Sequence, residues 1–170
     1  MLRKVSIVGP ESSGKSTLAK ALAAHFETEV VLEYAREYLE KLGRPYQESD
    51  LIDIAKGQLA AEQVAMLHAN QFLFCDTNLL VIKIWSQVKY NRVNSEIMEL
   101  MNLDSYDLHL LLAPDIPWEA DPLREHPEFR NELFEIYHQE LIASGVPFHI
   151  ISGKNRLEQA VSGCADLLMC

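Results

Sequence analysis

The sequence predicts an α/β fold: a three-layer sandwich in which a five-stranded, mostly parallel sheet carries helices on both faces. Short apolar runs alternate with helical segments along the chain, and no repeat period or low-complexity linker interrupts them. The first run also opens directly into a glycine-rich loop that a helix follows. Right-handed crossovers bring the carboxyl ends of such strands to one edge, so Gly9, Glu33, Asp76, Ala113 and Ser152 should converge around a ligand crevice.

Residues 4–8 hold Val5, Ile7 and Val8, an apolar run suited to a central parallel strand, and Leu18, Ala21, Leu22 and Phe26 follow at helical spacing. Between them, residues 9–17 read Gly-Pro-Glu-Ser-Ser-Gly-Lys-Ser-Thr, the pattern G-x-x-x-x-G-K-[ST] in the strand-to-helix setting it requires. Glycines let the backbone curl so that N–H groups point inward beside the positive end of the helix dipole, which suits phosphate oxygens. The expected ligands are a nucleoside triphosphate and Mg²⁺. Gly9, Glu11, Ser12, Ser13, Gly14, Lys15, Ser16 and Thr17 are the candidate phosphate-binding residues; Lys15 reaches the β- and γ-phosphates and the Ser16 hydroxyl takes a position on the metal.

Residues 28–34 read as the second strand, ending in Glu33 and Tyr34, and a helix with Ala35, Tyr38, Leu39 and Leu42 on one face stops at Gly43 and Pro45. Ser49 caps a long helix to about residue 70, with Leu51, Ile52, Ala55, Leu59, Gln63 and Met66 near one face and Gly57 weakening it. Residues 72–76 form an apolar run closed by Asp76, the form of a Walker B strand. Residues 79–90 read as a helix carrying Trp85, with a shorter helix through Met101 capped by Asn94 or Ser95. Residues 107–113 read as a buried fourth strand in which His109 is a core or sheet-edge residue. The stretch 114–127 is too polar, and too broken by Pro117 and Pro122, for a regular core element; it reads as a loop over something. Pro127 then opens a helix through Ser144, with Leu133, Phe134, Tyr137 and Leu141 inward and Gly145 as its stop. A fifth strand at 147–151 and a last helix at 155–169 complete the chain.

At 170 residues the chain fits a single domain, 1–170. A net charge of -10 opposes nucleic-acid and anionic-membrane partners, which need a cationic footprint. Cys75, Cys164 and Cys170 lack CxxC spacing and are odd in number, which suits a reducing compartment; with no secretory signal or membrane span, a cytoplasmic location is expected.

Phosphoryl transfer needs alignment, a metal, cations and a group that orients or deprotonates the acceptor. Asp76 is the candidate Mg²⁺ ligand beside Ser16, or else a strand-end cap. Glu33 is the candidate acceptor-side base, or else the ion-pair partner of Arg36. Arg124 and Arg130 are the candidate cations of a closing segment. Tyr34, Tyr38 and Trp85 read, on residue type alone, as core. Gly153 and Arg156, after the fifth strand, lie topologically on the adenine side.

Gly-Pro-Glu-Ser-Ser-Gly-Lys-Ser-Thr, then Glu33-Tyr34-Ala35-Arg36-Glu37, then Asp76-Thr77, then Trp118-Glu119-Ala120-Asp121-Pro122-Leu123-Arg124 resembles the nicotinamide riboside kinase domain of bacterial NadR-type proteins over nearly the whole chain. The resemblance implies a P-loop kinase with strand order 2-3-1-4-5 and an Arg-bearing lid at about 114–130. It also implies ATP-dependent phosphorylation of nicotinamide riboside to nicotinamide mononucleotide, with Glu33, Tyr34, Arg36, Asn78 and Trp85 on the substrate side. The chain departs from that pattern at Leu32, where an aromatic residue often stands, at Asn78, where a carboxylate is usual, and at Pro122, where glycine is usual. The alternative is an AAA-like ATPase or NTP-dependent regulatory module acting on a protein partner, since a phosphate loop alone serves both uses.

Overall fold

A computed structural model describes residues 1–169. Strands β1 (Arg3–Val8), β2 (Glu29–Val31), β3 (Phe72–Asp76), β4 (Leu108–Leu112) and β5 (Phe148–Ile151) form one sheet in the order β2-β3-β1-β4-β5. Every pairing is parallel. All side chains of β3 and β4 are buried, as a sheet covered on both faces demands.

Helices α1 (Lys15–His25) and α7 (Arg156–Asp166) cover one face, where Val5, Ile7, Leu22, Phe72, Phe74 and Leu110 form the core. Helices α4 (Leu79–Tyr90) and α6 (Arg130–Ser144) cover the other, packing Leu80, Ile84, Leu133, Tyr137 and Leu141 on Val8 and Leu111. Helices α2 (Tyr34–Leu42), α3 (Glu48–Met66) and α5 (Ser95–Leu100) gather with α4 around Ala35, Leu51, Ile54 and Ile97. The stretch 114–126 has no helix or strand, and a single 3-10 turn, Pro127–Phe129, leads into α6. Cys75 and Cys164 are buried free thiols; Cys170 lies outside the described residues.

Several boundaries differ from the sequence expectation for definable reasons. Strand β2 ends at Val31 rather than 34: the backbone N–H of Tyr34 donates to Gln58 Oε1 (2.9 Å), which starts α2. Helix α3 begins at Glu48 because the Asp50 carboxylate, three positions in, accepts from the N–H of Gln47 (2.6 Å). The guanidinium of Arg44 grips both Asp50 oxygens and holds that carboxyl well below the usual range. The buried face of α3 is also rotated from the expected one, running Asp50, Leu51, Ile54, Ala55, Gln58, Glu62, while Met66 is exposed. Glu62 on this face accepts from Tyr106 Oη (2.8 Å) and pairs with Lys4 (2.5 Å), while Gln58 is bonded through Oε1 alone, its buried Nε2 having no partner. Hydrophobic periodicity cannot register such positions. Helix α6 starts at Arg130 because the Pro127 turn is 3-10, and α7 stops at Asp166.

Behind the β3–α4 junction lies a buried polar chain. The Nε2–H of His109 donates to Leu103 O (3.1 Å), so its Nδ1 accepts from Ser6 Oγ (2.6 Å), which in turn accepts from Asn78 Nδ2 (3.2 Å). His109 is fully buried, and burial lowers its pKa to about 4 from 6.5.

Because the folded pKa lies below the unfolded one, the neutral ring stabilises the fold above pH 6.5, and that contribution falls away as pH drops toward 4. Urea unfolding of wild type should show roughly 3 kcal/mol lost across that window from this group, and H109Q should lack that component. At Gly57 the expected sign of a helix Gly→Ala change reverses. An added Cβ would sit 2.0 Å from Tyr34 Cε1, so G57A should destabilise by about 1–3 kcal/mol in chemical denaturation rather than stabilise.

Candidate active site

The loop between β1 and α1 is held open by backbone geometry available to few residues. Gly9 has φ 139° and a Cβ there would lie 2.7 Å from Leu112 O, while Gly14 has φ 86°. Ser12 adopts φ 52°, a left-handed conformation costly for a non-glycine residue. Surrounding bonds enforce it: Ser12 Oγ accepts from the N–H of Glu119 (2.9 Å) and Ser13 Oγ donates to Pro10 O (2.8 Å). Lys15 Nζ lies within the curl, donating to the carbonyls of Gly9 (3.1 Å) and Pro10 (2.8 Å). No acidic residue occupies the first turn of α1, so its positive end meets the loop uncompensated.

Pairing of Ile7 with Asp76 across β1 and β3 brings that carboxylate to the loop. Its Oδ2 accepts from Ser16 Oγ at 2.5 Å, whereas its Oδ1 is buried with no hydrogen-bond partner. Burial raises the Asp76 pKa, against the lowering effects of Ser16 and Lys15. A buried carboxylate oxygen left bare beside a hydroxyl is the donor set a small hard cation completes, so Ser16 and Asp76 fit Mg²⁺. Among the described residues no cluster of three His, Cys, Asp or Glu side chains could cage a metal. The cation would therefore depend on phosphate oxygens and water as well.

Glu33 stands at the position just before α2, its side chain making no capping bond, and lines the same space. Burial raises its pKa, Lys15 lowers it and Asp76 raises it again. Arg36 is not its ion-pair partner; that guanidinium pairs with Asp121 at 3.0 Å and lies near Glu40 at 3.9 Å. A cleft of about 230 Å³ runs from residues 9–17 past Glu33 and Arg36 to an apolar wall that includes Leu39, Ile84, Trp85 and Tyr137. A second, wider hollow of about 620 Å³ lies on the flank of β2 and α2, and Asp76, Lys20, Leu32 and Tyr34 line it. Ser16, Glu33, Arg36 and Arg124 border both.

Trp85 lines the first cleft and donates from Nε1 to Tyr46 Oη (2.9 Å). Tyr34 does not: its ring packs over Gly57 and opens onto the second hollow. Asn78 departs further from the substrate-side expectation. It is fully buried, its Oδ1 accepts from Leu80 N (3.0 Å) to cap α4, and its Nδ2 joins the Ser6–His109 chain. The amide is there because both a donor and an acceptor are needed, which a carboxylate cannot supply.

The segment 114–130 folds over the loop. Glu11 accepts from the N–H groups of Glu125 (3.1 Å) and His126 (3.0 Å), so its carboxylate holds this segment. Arg124 approaches Ser12 Oγ (3.5 Å) and bonds Glu119 O; Arg130 donates to Ser12 O and Ile116 O, both at 3.0 Å. Both guanidinium groups flank Trp118, 5.9 and 5.7 Å from its ring centre. Arg124 lines the cleft and Arg130 does not. Thr17 lines it, but neither Gly153 nor Arg156 does. Gly153 N donates to Asp115 (2.6 Å), and Arg156 donates to Ser13 O (2.5 Å) and Ala113 O (2.8 Å). Gly153 is exposed and Arg156 half-buried, and both lie at the back of the loop, outside this cleft.

Sequence reasoning missed Tyr137 and Tyr46 as members of this region. Tyr137 reads as a core position at helical spacing, yet its buried phenol faces Glu33 and Glu11, which, after burial itself, push its pKa upward. Tyr46 follows Pro45 in an unremarked turn, yet its hydroxyl meets Trp85 and the Glu125 carboxylate (3.2 Å), while Lys89 lies 4.0 Å above its ring.

A family model described as an AAA domain matches residues 4–159. The chain is 34% identical over 151 residues to the trifunctional NAD biosynthesis/regulator protein NadR of Escherichia coli (strain K12), covering 83% of this chain and 37% of that protein. The corresponding NadR of Salmonella typhimurium matches at the same 34% identity and coverage. The chain thus spans little more than a third of the curated relatives it matches. In fold it is similar to a crystal structure of NadR protein in complex with NR, with TM-score 0.81 at 22% identity over 97% of this chain and 51% of that one. It is also similar to deoxyadenosine kinase from M. mycoides with bound dATP, with TM-score 0.61 at 14% identity over 96% of this chain and 99% of that one. With its family model spanning the sheet from β1 to the start of α7, the chain belongs to the AAA_28 family of AAA domains.

Proposed function

We propose that this chain is an ATP- and Mg²⁺-dependent kinase that transfers the γ-phosphoryl group of ATP to the 5′-hydroxyl of nicotinamide riboside, giving nicotinamide mononucleotide for NAD synthesis. The observation that carries this reading is the position of Glu33: one half-buried carboxylate borders both the cleft that Lys15 and Ser16 share with Trp85 and the hollow that Asp76 lines. A donor half and an acceptor half thus meet around it. The NadR relatives, and the NR-bound NadR structure, support nicotinamide riboside as the acceptor.

In this reading Lys15 leaves the carbonyls of Gly9 and Pro10 for the β- and γ-phosphates and stabilises charge as it spreads in transfer. Ser16 and Asp76 hold Mg²⁺, which when bound neutralises the phosphate oxygens. Glu33 orients the acceptor hydroxyl and takes its proton. Residues 114–130 act as a lid whose Arg124, lining the cleft, exchanges its bonds for phosphate oxygens while Arg130 keeps hold of Ser12 O. Both arginines come from the same chain as the phosphate loop, which favours a self-contained kinase over an ATPase completed by a neighbour's arginine. Asn78 weighs little against the substrate, because it lines neither the first cleft nor the second hollow.

The direct test incubates a mixed nucleoside panel with ATP, Mg²⁺ and protein and reads products by mass spectrometry. Nicotinamide mononucleotide should form with wild type and not with K15A; no phosphorylated nucleoside from wild type would refute the kinase reading. E33Q should lower kcat by about 10²–10⁴ while leaving ATP affinity unchanged. Glu33 must be ionised to accept a proton, so wild-type kcat should rise with pH through its raised pKa, and E33Q should lose that limb. Finally, E11A removes the acceptor of two backbone N–H groups. It should favour lid opening by about tenfold or more, read as faster tryptic cleavage after Arg124.

A further inference from the structure

The peptide between Ser13 and Gly14 is the weak point of the phosphate loop. A trans peptide is planar, so its C=O and N–H point to opposite sides; whatever fixes the Ser13 carbonyl also fixes the direction of the Gly14 N–H. Gly14 sits at φ 86°, and glycine tolerates either sign of φ, so nothing in its own chemistry prevents this peptide from turning over. A turned peptide would aim a carbonyl at phosphate oxygens in place of an N–H donor.

An arginine from the far end of the chain closes that route. Arg156 Nη1 donates to Ser13 O at 2.5 Å. The same guanidinium is immobilised from its other sides: Nη2 donates to Ala113 O (2.8 Å) and to the Asp115 carboxylate, and Nε donates to Gly153 O (3.2 Å). Asp115 is itself fixed by the Gly153 N–H (2.6 Å). The Arg156 side chain is only 13% exposed, and Nη1 would lie 3.5 Å from a Cβ placed on Gly14. The ends of β4 and β5 therefore grip the back of the loop. One residue earlier Arg130 grips Ser12 O in the same way, so two successive carbonyls are tied outward by two arginines.

We infer that Arg156 is a positioning residue for the nucleotide donor, holding the Ser13 carbonyl outward so that the Gly14 N–H stays aimed at the phosphates. This rests only on the donor half of the proposed function, since it concerns how the loop binds phosphate and not which nucleoside accepts it.

The test is calorimetric titration of ADP with Mg²⁺, without nucleoside, into wild type, R156Q, R156K and D115N, beside unliganded melting temperatures and hydrogen exchange across residues 9–18. R156Q should bind ADP about tenfold or more weakly and exchange faster in the loop, as loss of a charge-assisted bond implies. R156K, which keeps the charge but not the planar fork, should fall between R156Q and wild type. D115N, which loosens the guanidinium without removing it, should weaken ADP by about threefold, a fraction of the effect of losing that bond. Unchanged ADP affinity in R156Q overturns the inference, and so does wild-type affinity in R156K, which would make charge alone sufficient. Should R156Q not fold, wild-type affinity in D115N overturns it. None of these titrations depends on nicotinamide riboside, so a failed nucleoside panel and a failed positioning role are separate results.

Discussion

Parallel pairing of β1 with β3, in the register that sets Ile7 beside Asp76, is the constraint on which the rest of this structure depends. Strand β1 runs into the phosphate loop and β3 ends at the carboxylate, so this register alone brings Asp76 Oδ2 to Ser16 Oγ. A slip of one residue would offer Cys75 or Thr77 to the loop and turn the carboxylate to the other side of the sheet. Apolar burial along both strands opposes such a slip. On the opposite face Ser6, Asn78 and His109 join β1, the start of α4 and β4 through side-chain bonds, so polar and apolar forces specify the same register.

The outer side of the loop is as heavily used as its inner side. Glu11, Ser12 and Ser13 turn their free groups away from the N–H cradle to hold residues 114–130 and the β5–α7 turn. A strained backbone, with Ser12 at φ 52°, persists because many contacts over-determine it. Preorganisation of this kind leaves little to be ordered when phosphate arrives. It also couples the two halves of the cleft, since Glu125 lies one bond from the loop through its N–H and another from Tyr46 and Lys89 through its carboxylate.

What the sequence made legible follows from what sequence patterns record. The loop, the five strands and their helices came from local signals: glycine spacing, apolar runs, caps and stops. Convergence of Glu33 and Asp76 followed from topology. Positions defined by distant polar partners were not legible, because nothing local marks them. Gln58 and Glu62 rotate the buried face of α3 through bonds to Tyr34 and Tyr106, the latter 44 residues away. Asn78 reads as a weakened acceptor carboxylate beside its family pattern, yet it is a helix cap tied to Ser6. Arg156 reads as adenine-side by topology, and nothing local marks the bonds its guanidinium makes to the backbone of the loop and of β4's end. In each case a cross-chain hydrogen bond outweighed the local tendency.

The coupling of ADP formation to nucleoside phosphorylation tests most directly the claim that loop, metal pair and Glu33 form one site. Wild-type protein with ATP and Mg²⁺ should form ADP slowly alone. With nicotinamide riboside it should form ADP and nicotinamide mononucleotide in equimolar amounts, at a rate at least about tenfold higher, as positioning of the acceptor requires. ADP formation that is indifferent to the nucleoside, or that outruns nucleotide product, would contradict it.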